Sequence, residues 1–344
     1  MAYSFKIDEE TLNGLKNALK GKKRILLSTH RSPDGDAIGS SLAMYHFLKE
    51  WGHEVVISVP DPAPAFLHWL PGHEEIIVYK NNKEAFAEIC SHAEIIFALD
   101  YNHFARTGDE LGELLQASTA LKIMIDHHQE PDESMEYKVW DVEASSTAQL
   151  VYDTILALSG SDAITKDIGE CLYTGIMTDT GSFRFATCSS HTMRIVAHLL
   201  DCGVDGNQIH QLVYDQNSID RLHLMGYALE KMVLIADCHT AYISLSSKEL
   251  RKFNYQAGDT EGLVNKALSV QGVKVAALLT EKEGSVRLSL RSSAAFSVND
   301  FSRKYFNGGG HYHAAGGTFN GSMEEAAQHF EKYIHENKDE IALA

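Results

Sequence analysis

Apolar residues recur along the first part of the chain in short, nearly unbroken runs: "RILLST", "EVVISV", "EIIFAL" and "LKIMI". Runs of this length, rich in β-branched residues, read as strands buried on both faces. Between them the apolar positions change to a helical spacing, over about 36–51, 83–92, 109–117 and 145–158, and an amphipathic segment, "DEETLNGLKNALKG", precedes the first run. Buried strands alternating with helices predict an α/β domain built on a doubly wound, mainly parallel sheet.

Helical signals dominate from about 165 to 232, in "GECLYTGIMTD", "SSHTMRIVAHLLDCG" and "DGNQIHQLVYDQ", with Gly203 and Gly206 placed as helix stops. From 233 the pattern becomes "MVLIADCHTAYISL", "VKVAALLTE" and "SVRLSLRSS", mixed with two or three helices. This predicts a smaller α+β domain with a mixed sheet. The division expected is a first domain over 1–215, helical connector included, and a second over 216–344.

The 344-residue length exceeds what one core usually serves, in agreement with two domains. A hydrophobic content of 44% with only 6 prolines excludes a disordered or fibrous chain. The start, "MAYSFKIDEE", lacks the basic and apolar pattern of a leader, and no apolar run approaches the roughly 20 residues that span a bilayer, so a cytoplasmic location without membrane contact is expected. Five cysteines are scattered and never spaced CxxC, which suggests neither a disulfide framework nor a thiolate zinc site.

Charge changes the picture further. Residues 1–215 hold 16 Lys and Arg against 32 Asp and Glu, whereas 216–344 hold 14 against 15. An acidic front half repels a polyanion unless cations intervene, and no basic track for duplex DNA is present. An anionic substrate is therefore expected to be small, or to be presented to bound metal.

In an open parallel sheet, ligands gather beyond the carboxyl ends of the strands. Three of the predicted strands end there in metal-ligating residue types. "RILLSTH" delivers His30 and leads to Asp34 and Asp36, "EIIFALD" delivers Asp100, and "LKIMIDHH" delivers Asp126, His127 and His128. The helical "LYTGIMTDTGSF" adds Asp179. Taken singly, each has an ordinary structural use: Asp36 as a helix cap, Asp100 as a turn former, Asp179 as a helix end, and the histidines as a pair satisfied by backbone groups. Convergence on one sheet edge favours a shared metal site instead. Carboxylates with a minority of imidazoles and no thiolate suit manganese or magnesium. Two cations about 3.5–4 Å apart could share a bridging carboxylate, for which Asp100 is placed, and a bridging hydroxide as nucleophile.

These residues resemble the motifs of the DHH phosphoesterases: "HRSPDGDAIGS", the solitary Asp100 followed by Arg106 and Gly108, "DHH" at 126–128, and "TDTGSFRF" at 178–185. "GGGHYHAAGG" at 308–317 is similar to the signature of the DHH-associated domain. The resemblance implies that His30, Asp34 and Asp100 hold one metal and that Asp36, Asp100, His127 and Asp179 hold the other. Asp126 would orient a histidine, and His128 would face the substrate, either stabilising phosphoryl charge or protonating the leaving oxygen. Substrate would be bound by Arg106, Arg291, the backbone of Gly308, Gly309 and Gly310, and His311; Tyr312 and His313, inside the glycine signature, would either add a surface for a base or be ordinary surface residues.

Two positions depart from many relatives: Ser32 stands where asparagine is common and Asn307 where a fourth glycine is common. By its length and C-terminal signature the chain resembles the nanoRNase/pAp phosphatase type within that family, which implies an Mn2+ enzyme (two ions, Mg2+ an alternative) acting on short single-stranded RNA and on 3′-phosphoadenosine 5′-phosphate (pAp). A phosphodiesterase for linear or cyclic dinucleotides and a non-catalytic nucleotide-binding regulator remain the other readings, and a homodimer stays open.

Overall fold

The computed structural model of the protein describes residues 6–282, 284–293 and 295–343. The first five residues, where the sequence shows no leader pattern, lie outside these. Two compact units follow one another along the chain, Met1–Gln216 and Asn217–Ala344.

The first unit holds strands β1 (Arg24–Ser28), β2 (Glu54–Val59), β3 (Ile76–Val78), β4 (Ile95–Leu99), β5 (Leu121–Asp126) and β6 (Tyr137–Trp140). They form one sheet in the order β3-β2-β1-β4-β5-β6, parallel throughout. Its helices are α1 (Glu9–Ala18), α2 (Gly35–Glu50), α3 (Lys83–His92), α4 (Asp109–Ala117), α5 (Thr147–Ser159), α6 (Lys166–Asp179), α7 (Ser190–Asp201) and α8 (Gly206–Tyr214). The doubly wound parallel architecture expected from the alternating runs is what the chain adopts. β4 is buried at every position and β1 at all but Arg24, as a central strand covered by helices on both faces must be. Each large side chain so buried, such as Phe97 or Leu27, contributes roughly 1.5–3 kcal/mol.

Strand order reverses between β1 and β4, because β2 and β3 lie on one side of β1 while β4, β5 and β6 lie on the other. The two βα loops diverge there and leave a crevice at the carboxyl edge. Helix α2 is buried at 13 of its 16 positions and packs closely on α6: a Cβ on Gly39 would meet Cys171 O at 2.5 Å, and one on Gly175 would meet Asp36 Oδ1 at 3.0 Å and, from α5, Ala148 Cβ at 2.6 Å. Only glycine permits these approaches.

The short strands β3 and β6 escape the sequence pattern, since three or four residues give no measurable period.

The second unit contains α9 (Ile219–Glu230), β7 (Val233–Ile235), β8 (Thr240–Leu245), α10 (Ser247–Lys252), α11 (Leu263–Leu268), β9 (Val275–Lys282), β10 (Ser285–Ser292), α12 (Val298–Tyr305), β11 (Gly309–His311), β12 (Ala314–Asn320), α13 (Met323–Glu336) and α14 (Lys338–Leu343). Its sheet runs β11-β12-β10-β9-β8-β7, mixed because β8 and β9 are parallel and the other neighbours antiparallel. The helices after β7 outnumber the two or three expected. α10 and α11, of 6 residues each, are too short to show periodicity, and α10 is set locally by a reciprocal cap between Ser246 and Glu249. Among the described residues, no helix is long and apolar enough to cross a membrane.

Candidate metal centre

The site is assembled where β1, β4 and β5 end. His30 lies two residues beyond β1 and directs Nε2 at Asp100 Oδ2, 3.2 Å away, while its Nδ1 lies 2.9 Å from Arg31 O. Asp34 caps α2: its Oδ1 accepts from the N–H groups of Asp36 and Ala37 at 3.0 and 3.1 Å. The cap is thus Asp34, not Asp36, and the difference matters. Asp36 sits inside the first turn of α2, where its carboxylate turns inward and accepts from Thr147 N–H at 2.7 Å and Ala148 N–H at 2.8 Å. The N-terminus of α5 therefore grips Asp36 with two of the amides that a helix leaves unpaired at its start.

Asp100 follows β4 with φ of 63°, in the left-handed region that aspartate tolerates at a cost. Its Oδ1 accepts from the Thr147 hydroxyl at 3.0 Å and lies 3.7 Å from His127 Nε2. His127 Nε2 also lies 3.9 Å from Asp36 Oδ2 and 3.6 Å from Asp179 Oδ2, and its Nδ1 is 3.2 Å from Ala144 O. That carbonyl takes up the Nδ1 side of the ring and leaves Nε2 as the nitrogen turned to the carboxylates, where a metal would bind. Asp179 arrives as the last residue of α6.

Two overlapping sets result, His30–Asp34–Asp100 and Asp36–Asp100–His127, with the ligand atoms of each set within 4.8 Å of one another. Asp100 belongs to both, because β4 lies between β1 and β5.

The electrostatics indicate that cations fit here. Asp36, Asp100 and Asp126 are each at most 2% exposed. Burial, then the neighbouring Asp100 and Asp179, push the Asp36 carboxyl well above its usual range. Burial acts the same way on Asp100, but is outweighed by the bond and charge of His30, so Asp100 remains ionised. His30 in turn is raised, since Asp100 and Asp34 overcome its burial. Several carboxylates packed together away from water are stable as anions only against positive charge. A donor set of carboxylate oxygens and imidazole nitrogens without sulfur matches hard divalent ions.

Asp126 belongs to neither of these sets but to a third group with Asp100 and His128, whose ligand atoms also lie within 4.8 Å of one another. Its Oδ1 accepts from His128 Nδ1 at 2.7 Å, and its Oδ2 is buried with no hydrogen-bond partner among the described residues. Burial raises the Asp126 carboxyl. Burial and then the Arg106 guanidinium lower His128 well below the ordinary imidazole value, so the ring is neutral with its proton on Nδ1. The main chain of His128 is held by Trp140, whose Nε1–H donates to His128 O at 2.6 Å.

In the second unit, Arg291 lies near the end of β10, and its Nη1 donates to Leu290 O at 2.9 Å. The glycine signature forms a tight hairpin: β11 pairs with β12 through Gly309↔Gly316 and His311↔Ala314. Gly308 N–H donates to Ser302 O at 3.3 Å and Gly310 N–H to Asn299 Oδ1 at 2.9 Å. These two amides are thus paired to the preceding helix α12. Gly308 also serves close packing, since a Cβ there would fall 1.9 Å from Gly316 O. Tyr312 and His313 are likewise anchored, the tyrosine hydroxyl on Ala295 O at 2.6 Å and the imidazole Nδ1 3.0 Å from Ser292 Oγ. The two departures from relatives both fall at left-handed positions, Ser32 with φ of 52° and Asn307 with φ of 47°.

Sequence reasoning missed Thr147, Ala148, Ala144 and Trp140, which hold the ligand candidates in place. The run "ASSTAQL", polar and then helical, carried the signal of a helix start, but nothing local tells what that start faces.

Both units of the chain are similar to known proteins. The profile described as "DHH family, N-terminal domain" matches residues 24–176, and that of the DHHA1 domain matches 236–336. The chain is 32% identical over 321 residues to the bifunctional oligoribonuclease and PAP phosphatase NrnA of Thermus thermophilus, covering 93% of this chain and 91% of that one. It is 24% identical over 300 residues to the protein of the same name from Bacillus subtilis, covering 86% of this chain and 88% of that one. An exopolyphosphatase-related protein from Bacteroides fragilis has a TM-score of 0.93 at 38% identity, covering 99% of this chain and 100% of that one. RecJ of Thermus thermophilus, solved with Mn2+, shares the fold with a TM-score of 0.58 at 12% identity, covering 100% of this chain and 56% of RecJ. With both domain profiles in order and a relative of 32% identity spanning 93% of it, the chain belongs to the DHH family of metal-dependent phosphoesterases.

Proposed function

We propose that this protein hydrolyses short single-stranded RNA to mononucleotides and removes the 3′-phosphate of pAp. The observation that carries the reading is the meeting of His30, Asp34, Asp36, Asp100, His127 and Asp179 at the carboxyl edge of one parallel sheet. Relatives over nearly the full chain are named for these two activities.

In this reading His30, Asp34 and Asp100 hold one divalent ion and Asp36, Asp100, His127 and Asp179 a second, with Mn2+ the ion proposed and Mg2+ the alternative. Divalent ions so held supply Lewis acidity toward the phosphoryl group and toward water. Thr147 and Ala148 keep Asp36 oriented, and Thr147 keeps Asp100 from rotating. Asp126 fixes the His128 ring by accepting its Nδ1 proton. A bound phosphate raises the proton affinity of the His128 Nε2 through its negative charge, so the ring can donate there to the leaving oxygen. Arg106, whose charge already reaches His128, would take a phosphate oxygen in its planar fork. In the second unit Arg291 and His311 would bind the nucleotide, with Gly308, Gly309 and Gly310 shaping the hairpin that carries His311.

The test is to incubate purified protein and Mn2+ with di- to pentaribonucleotides, pAp, and linear and cyclic dinucleotides. Release of mononucleotide from the oligomers and of phosphate from pAp is expected, abolished in Asp100→Ala. Arg291→Ala should raise KM about tenfold or more with kcat near wild type. No release from any RNA oligomer or pAp would overturn the reading, and turnover confined to dinucleotides would reassign the substrate.

A further inference from the structure

We propose that Asp237, Cys238 and His335 form a second metal site, of a different chemical class, lying wholly within the second unit and suited to a thiophilic divalent ion such as Zn2+. Asp237 and Cys238 occupy the turn Ala236–Cys238 between β7 and β8. His335 stands in the last turn of α13. Cys238 Sγ lies 3.2 Å from His335 Nδ1, and the ligand atoms of all three residues lie within 4.8 Å of one another. Tetrahedral zinc, with bonds of about 2.0–2.3 Å, sets its donors about 3.3–3.8 Å apart. The sulfur and the ring nitrogen are therefore already near coordination spacing. The Asp237 side chain, 58% exposed, has the freedom to close the remainder.

The donor chemistry separates this site from the oxygen-rich cluster of the first unit. One sulfur, one imidazole and one carboxylate favour zinc or cobalt over magnesium or manganese. Loading is charge-balanced: the incoming dication displaces the thiol proton to solvent, and the thiolate and carboxylate then neutralise it. Three protein donors leave a fourth position for water.

Lys338 occupies the carboxylate in the meantime. Its ammonium lies 3.1 Å from Asp237 Oδ2 on a side chain 44% exposed, so it competes with a metal and can swing away. The alternative of a reactive thiol is disfavoured, because Cys238 is 0% exposed and offers no face to a substrate. A bound ion would clasp the last turn of α13, and α14 after it, to the β7–β8 turn. Nothing in the spacing of the sequence announces this, since 97 residues separate Cys238 from His335.

The test uses the full-length protein, stripped with a chelator under a non-thiol reductant and supplied with excess Mg2+ for the oxygen-rich cluster. Co2+ is then titrated while thiolate-to-cobalt charge-transfer absorption is recorded, a signature that carboxylate and imidazole ligands do not give. One equivalent of Co2+ should develop the band in the wild type, and Zn2+ should bleach it. The band should vanish in Cys238→Ser, require at least tenfold more Co2+ in His335→Gln, and require less in Lys338→Ala. Circular dichroism checks folding. Should Cys238→Ser fail to fold, the opposite shifts in His335→Gln and Lys338→Ala, both at exposed side chains, carry the test. A folded wild type without the band, or the same titration in wild type and His335→Gln, would overturn the proposal.

Discussion

The hydroxyl of Thr147 donates to Asp100 Oδ1 at 3.0 Å, and the N–H of the same residue donates to Asp36 Oδ2 at 2.7 Å. One residue at the start of α5 thereby couples the strand-end carboxylate to the helix-borne one. Thr147→Val keeps shape and removes only the hydroxyl. It should weaken Mn2+ binding by about 10–100-fold, read by calorimetric titration, with a parallel loss of hydrolysis. Thr147→Ser should restore both, and unchanged Mn2+ affinity in the valine variant would deny Thr147 its part.

Metal removal should cost stability as well as activity, because the buried carboxylates then face one another unneutralised. Mn2+ at about 100 times its dissociation constant should stabilise the folded state by about 2.7 kcal/mol per ion, several degrees in Tm for a unit of this size. Asp100→Asn, which empties both ligand sets of their shared member, should melt at the same temperature with Mn2+ as with EDTA. A full Mn2+ shift in that variant would show the ions bind elsewhere.

The glycine signature separates packing from recognition. Gly308→Ala drives a Cβ to 1.9 Å from Gly316 O and 2.2 Å from Ser302 Oγ, whereas Gly309→Ala meets nothing nearer than 3.5 Å. The first variant should lose about 3 kcal/mol or fail to accumulate as folded protein, and the second should fold normally. Equal melting temperatures for the two would contradict the hairpin geometry.

Glu249 provides a pH test remote from any metal ligand. Burial raises its carboxyl, but bonds from Lys231 and Tyr227 at 2.5 Å and from Ser246 at 2.8 Å outweigh it and bring it to about 2 from the usual 4.5. A carboxyl depressed on folding stabilises the native state above its unfolded value, and that contribution fades as pH falls from about 4.5 toward 2. Glu249→Gln should therefore melt below wild type at pH 7, with the gap narrowing below about pH 4.5. A gap independent of pH would mean that packing, not charge, sustains this contact.

The helices of the first unit and its strands β1, β2, β4 and β5 were legible because their signals are local: β-branched runs at "RILLST" and "EIIFAL", and helical spacing between them. The candidate ligand types were legible for the same reason, since His30, Asp100 and His127 follow strand ends that the runs themselves mark. The strand order was not written locally. Nor was the identity of the α2 cap, where Asp34 and Asp36 are alike in type and two residues apart. The α5 N-terminus closes on Asp36 across 111 residues of chain, and Cys238 meets His335 across 97. The sequence by itself determined which segments would be buried and which chemistry each strand would end in, because periodicity and residue type act over a few neighbours. Only the tertiary structure decided which carboxylate faces which amide, imidazole or ammonium, because that depends on close packing, such as α2 on α6 at Gly39 and Gly175, between segments distant in the chain.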